Sequence, residues 1–115
     1  MQKRRVILVD PNHLEGHINA KILSSTIEDA EVYDFRDPFE ARDFVQRYGI
    51  CPDVIVLSES FDALRSQIDQ WLTECHSNCE LYTMCDVHST RATTAKNTVS
   101  RSMLHDQLQQ IMSAS

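Results

Sequence analysis

Glycine is nearly missing: the 115-residue chain carries 2. Loops that cradle nucleotide phosphates on backbone N–H groups need several glycines close together, so composition argues against that class. Positive charge is also short. Lys and Arg total 11 against 17 Asp and Glu, for a formal net charge of -6 and a pI near 5.2. Phosphate backbones are held by clustered Lys and Arg, so direct nucleic-acid binding is not expected. The one basic run, Lys3-Arg4-Arg5, precedes an apolar stretch and reads as a solvated edge. Long hydrophobic runs are lacking too. Val6-Ile7-Leu8-Val9 is stopped at once by Asp10, too short for a membrane span or a signal-peptide core. The four cysteines do not have the spacing of a secreted disulfide framework. Reduced thiols in a cytoplasm are the expectation.

What remains suits one soluble domain over residues 1–115. The chain is long enough for a single core, and 42% hydrophobic with 24% charged residues is ordinary for a globular protein. The closing Ser113-Ala114-Ser115 fits either a frayed end or the start of a linker.

Apolar runs alternate with helical patterns along the chain. Arg5–Val9 is a continuous apolar strand of the kind buried on both faces. Asn12–Ser25 follows as a helix capped by Asn12, with Leu14, Ile18, Ile22 and Leu23 at helical spacing and expected to face inward. Ala30–Phe35 alternates as a strand. The next helix has the clearest signals: Asp37 as N-cap, Pro38 at the first position, Glu40 three after the cap and Gly49 as the stop. Its apolar surface comes from Phe39, Phe44, Val45 and Tyr48. Asp53–Leu57 is a strand. Phe61–Cys75 is helical through Leu64, Ile68, Trp71, Leu72 and Cys75, with Trp71 expected in packing. Glu80–Cys85 and Thr98–Ser100 are strands. Ser89–Ala95 is a short helix, and Ser102–Ser113 a helix with Leu104, Leu108, Ile111 and Met112 inward. The order is (βα)5, which implies a doubly wound parallel sheet with helices on both faces.

In such a sheet ligands and chemistry lie beyond the carboxyl ends of the strands. Those ends are Asp10-Pro11, Ser58-Glu59-Ser60, Cys85-Asp86 and Ser100-Arg101. The stretch "RRVILVDPNHLEGHINAKIL" resembles the first strand and helix of the response-regulator receiver domains of two-component signalling, and "CPDVIVLSES" resembles their third strand. The resemblance spans nearly the whole chain. It implies a flavodoxin-like α/β fold with strand order 2-1-3-4-5, here with a shortened or irregular fourth helix, because the stretch from Cys85 to Arg101 is shorter than the family's.

The resemblance also implies a phosphorylation pocket. Two adjacent acids after the first strand and an acceptor aspartate ending the third hold Mg²⁺, and the acceptor carboxylate attacks the phosphoryl group. A Ser or Thr hydroxyl and a Lys from the last two strands bind the phosphoryl oxygens. Residue by residue, Asp10 keeps the first acid and Pro11 replaces the second. Ser58 stands at the acceptor position, Cys85 at the hydroxyl position and Arg101 at the lysine position. One acid cannot build the usual oxygen-rich Mg²⁺ site, so the pocket is expected to be degenerate and the metal lost. Glu59 is a candidate mimic of a phosphorylated acceptor, provided the strand ends before it. Arg101 is expected to face Asp10 and take over the neutralising role of the metal.

"CHSNCELYTMCDVH" offers a competing reading. Cys75, Cys79, Cys85 and His88 have spacing loosely like a Cys₃His zinc site, with His76 in reserve. An extended strand over residues 80–85 would hold Cys79 and Cys85 roughly 20 Å apart at ~3.3 Å per residue, whereas ligands of one tetrahedral zinc lie ~4 Å apart. Zinc is therefore not expected. Cys85 retains a possible redox role through an arginine beside its thiol. His13 and His17, one turn apart, read as a solvated face.

The expected function is a non-enzymatic, phosphorylation-independent interaction module with no cofactor, engaging a protein partner or a second copy of itself. By the family resemblance its docking face includes residues near Ala92, Val99, Met103 and Gln107. Alternatives are the regulatory or dimerisation domain of a larger transcription regulator or ATPase, and a small-ligand, redox or metal-binding flavodoxin-like domain.

Overall fold

The computed structural model describes residues 4–74, 79–85, 98–100 and 104–113. Strand β1 (Arg4–Val9) is followed by α1 (His13–Thr26), β2 (Ala30–Phe35), α2 (Pro38–Tyr48) and β3 (Val54–Ser58). A 3₁₀ turn (Glu59–Leu64) then leads into α3 (Arg65–Glu74), β4 (Glu80–Cys85), β5 (Thr98–Ser100) and α4 (Leu104–Ser113). The strands form one sheet in the order β2-β1-β3-β4-β5, with every neighbouring pair parallel. This is the flavodoxin-like order expected from the sequence. The short helix expected over Ser89–Ala95 lies outside the described residues.

The central strands are apolar throughout because each feeds two cores. Val6, Leu8, Val54 and Val56 pack with Leu23, Met84, Val99, Leu104 and Leu108 on the α1/α4 side. Ile7, Val9, Ile55 and Leu57 pack with Ala41, Val45, Ile68, Trp71 and Leu81 on the α2/α3 side. Alternate residues of a strand point to opposite faces, so a single run serves both layers. Asp53 fixes the register just before β3: its carboxylate accepts from the Arg5 N–H at 2.9 Å, and its own N–H donates to the Arg5 carbonyl at 2.9 Å.

Helix α2 follows its sequence signals. Asp37 accepts from the Phe39 N–H at 2.7 Å, Pro38 opens the helix, and Gly49 closes it at φ +63°. That left-handed backbone favours glycine.

Two expectations need correction. In α1, Leu14, Ile18 and Ile22 do not face inward; they are 68%, 45% and 39% exposed. The buried residues are Gly16, Ala20 and Leu23, with Ile27 just beyond the helix. The spacing 16, 20, 23, 27 is itself helical. Of the four residues expected from the sequence, Leu23 is the one that is buried. The expected helix Phe61–Cys75 also divides. A 3₁₀ turn occupies Glu59–Leu64, Phe61 departs from helical backbone at φ -101°, ψ 15°, and the α-helix begins only at Arg65. Trp71 is buried in the core, as its place on the stripe suggested.

Candidate functional site

Three of the predicted site residues come together at the carboxyl end of the sheet. Val9 pairs with Leu57, and Ser58 pairs with Met84. Asp10 therefore follows β1 opposite Ser58, which ends β3, while Cys85 ends β4 one residue beyond the Ser58 partner Met84. All three are closed to solvent, at 0%, 1% and 0% exposure. Pro11 is exposed on the rim and Glu59 is half-buried. Arg101, with its expected pairing to Asp10, lies outside the described residues, as do Ala92 and Met103.

Each buried polar group has local work. The Asp10 carboxylate accepts from the Asn12 N–H at 3.0 Å, a side-chain turn that bends the chain after β1. Asn12 in turn accepts from the Glu15 N–H at 2.9 Å and caps α1. The Ser58 hydroxyl lies 2.9 Å from the Ser60 hydroxyl and accepts from the Ser60 N–H at 3.3 Å. Ser58 thus caps the 3₁₀ turn that Glu59 begins. The strand does end before Glu59, the condition for that side chain to leave the strand's alternation.

The sequence reading missed Arg36. Its Nη1 donates to the carbonyls of Asp10, at 2.9 Å, and Asn12, at 3.2 Å, while Nη2 pairs with Asp34. The guanidinium pins the loop after β1 to the end of β2. A Cβ on Gly16 would collide with Nη1. A glycine inside a helix normally costs stability, and that oddity is the one sequence signal pointing to something packed over the turn. A second unforeseen contact joins Arg65, at the start of α3, to the hydroxyl of fully buried Thr83 in β4.

Among the described residues, the ends of β1, β3 and β4 carry a carboxylate, a hydroxyl and a thiol. Among the described residues no three His, Cys, Asp or Glu side chains gather to hold a metal ion. β4 is a full strand over Glu80–Cys85, so Cys79 and Cys85 stand at opposite ends of it. Cys79 packs against the α2/α3 core. Cys75 and His88 lie outside the described residues. His13 and His17 are both exposed on α1. On the far edge, Val99 is buried in the sheet and Gln107 spends its side-chain carbonyl on the Ser100 N–H, at 2.6 Å.

Two tyrosines on the sheet have displaced acidities. Tyr33 is pushed up by its hydrogen bond to Glu31, then by burial and the Glu31 charge. Tyr82 is pushed up to about 12 by burial, then by its hydrogen bond to Glu80 and that carboxylate's charge.

No family model matches the sequence, and no curated protein matches it. Among the described residues no helix is long and apolar enough to cross a membrane. Solved structures do match. The signal receiver domain of the putative Luxo repressor protein from Vibrio parahaemolyticus superposes with a TM-score of 0.66 at 16% identity, over 97% of this chain and 88% of that one. A response regulator from Thermotoga maritima gives a TM-score of 0.71 at 12% identity, over 96% of this chain and 98% of that one. The strand order and these likenesses together give the chain a receiver-like, flavodoxin-type α/β fold.

Proposed function

We propose that this domain is a non-enzymatic interaction module that keeps the receiver-like fold and works without phosphorylation. The observation that carries the reading is Ser58. Phosphoryl transfer to a receiver pocket needs a carboxylate nucleophile beside a metal. The residue at this strand end is a closed-off hydroxyl already committed to the turn that follows. Pro11 supplies no ligand beside Asp10, and one carboxylate does not make a Mg²⁺ site. The loop after β1 is held by Arg36 on the carbonyls of Asp10 and Asn12 and by the Asn12 N–H on the Asp10 carboxylate. Its partner is a protein or a second copy of the chain, met in the cytoplasm. The likeness to a receiver domain of a putative repressor favours one further reading, a regulatory domain joined to an output domain.

The test is intact-mass spectrometry after incubation with acetyl phosphate and Mg²⁺. No phosphoryl adduct is expected on the wild type. Ser58→Asp is expected to stay unmodified too, because Pro11 still withholds a metal ligand. A phosphorylated wild type overturns the proposal. A phosphorylated Ser58→Asp variant shows that the metal site survives. Affinity capture of the tagged full chain then reads the interaction: a stoichiometric protein partner, or self-association, is the expected outcome.

A further inference from the structure

The exposed surface of α1 carries two histidines that the strand-end pocket does not absorb. The helix runs unbroken from His13 to Thr26. His13 opens it, His17 follows one turn later, and both are exposed. Among the described residues neither side chain is engaged in a hydrogen bond or an ion pair. Side chains four apart on a helix project from one face, with Cβ atoms about 5–6 Å apart. At that spacing two imidazoles can turn their ring nitrogens onto one ion, at metal–nitrogen distances of ~2.0–2.1 Å. Helical zinc motifs place their two histidines at the same interval.

We propose that His13 and His17 form a two-imidazole site for a late first-row divalent ion such as Zn²⁺. Charge does not select the ion here. The helix dipole works against a cation at this end, and Glu15 in the first turn offsets it. Lys21, exposed one turn beyond His17, adds opposing charge. The ligand type selects instead. Imidazole suits zinc, copper and nickel, whereas Mg²⁺ and Ca²⁺ call for several oxygens. No third His, Cys, Asp or Glu joins the pair among the described residues. Water therefore fills the remaining positions, and the ion exchanges readily, unlike one closed in by four protein ligands. The site is separate from the strand-end pocket and does not rest on the function proposed above.

The test reads each imidazole by itself. The chain has five histidines, and long-range ¹H–¹⁵N spectra of the reduced full-length chain resolve their ring nitrogens. Zn²⁺ is titrated in a non-coordinating buffer, with Mg²⁺ as the comparison. The His13 and His17 rings are expected to shift together, with one midpoint below about 1 mM Zn²⁺, because the rigid helix presents the second ligand at high effective concentration. Mg²⁺ is expected to move neither. His17→Gln is expected to weaken binding at His13 at least about tenfold by removing the chelate partner. Adding Ile18→His to that variant restores two histidines but sets them ~140° apart around the helix, and it is expected not to recover the affinity. The proposal is overturned by separate midpoints for the two rings, by equal shifts with Mg²⁺, by an unchanged midpoint at His13 in His17→Gln, or by full recovery in the double variant. Should the variants fail to fold, the shared midpoint and the comparison of the two ions on the wild type decide alone.

Discussion

Arg36 lies over the start of α1 with its guanidinium on two backbone carbonyls, and the only residue that leaves it room is Gly16. An alanine in an exposed helix normally gains about 1 kcal/mol over glycine. Here the added Cβ must push Nη1 away from Asp10 and Asn12, and losing charge-assisted bonds costs about 1–3 kcal/mol. Gly16→Ala is therefore expected to destabilise the wild type by about 1 kcal/mol, while the same change in an Arg36→Ala background stabilises it by a similar amount. Urea denaturation of the four proteins in this cycle checks the change of sign. Arg36 was invisible in the sequence because its acceptors are carbonyls, which every residue has. Asp10 and Ser58 were visible because they stop apolar runs. Tyr82 gives a residue-scale prediction in pH. Folded, it holds its proton up to about 12, whereas an unfolded tyrosine releases it near 10. Its contribution is present in full below pH about 10 and is lost as pH climbs toward about 12. Tyr82→Phe is expected to flatten that alkaline decline, read as the denaturation midpoint against pH.

Elements with explicit ends were the easiest to read. Asp37, Pro38 and Gly49 mark α2 by steric and hydrogen-bonding rules that tertiary context rarely overrides. β4 and β5 match their expected spans because β-branched and apolar residues run there between polar breaks. α1 shows the limit of the method. Its two candidate stripes, 14-18-22 and 16-20-23-27, are both periodic, and periodicity alone does not say which one meets the sheet. The structure buries the stripe of Gly16, Ala20, Leu23 and Ile27, with Gly16 beneath the Arg36 guanidinium. The cost of truncation should separate the two. Leu23→Ala removes a buried side chain and is expected to cost about 2–5 kcal/mol. Ile18→Ala removes a half-exposed one and is expected to cost under about 1 kcal/mol. Comparable losses would mean that Ile18 is covered in solution. The 3₁₀ turn before α3 was missed for a different reason. Its composition suits a helix, but the Ser58 hydroxyl captures the Ser60 N–H and holds the chain in a tighter turn until Arg65.

At the scale of the molecule, one sheet separates two cores, and β1 and β3 belong to both. The parallel sheet was legible because strands alternate with helices, and its order 2-1-3-4-5 was legible only through the resemblance to receiver domains. The chemistry at the strand ends was legible only as a set of positions: how Asp10 and Ser58 spend their polar atoms depends on loop geometry that apolar patterning does not encode. The shared strands have a mechanical consequence. Trp71 sits in the α2/α3 core, while Leu108 of α4 is buried in the α1/α4 core. Val56 and Leu57 are adjacent in β3 yet face opposite cores, so loosening one layer displaces the backbone that carries the other. Leu108→Ala is expected to destabilise the domain by about 2–5 kcal/mol and to shift the Trp71 fluorescence transition together with the far-UV circular dichroism transition, as one cooperative unit does. Fluorescence reports only the core that the substitution leaves untouched. Its midpoint moving in step with the circular dichroism means that the sheet couples the two layers. A Trp71 transition that stays at the wild-type midpoint while the circular dichroism moves means that the α2/α3 layer holds together on its own.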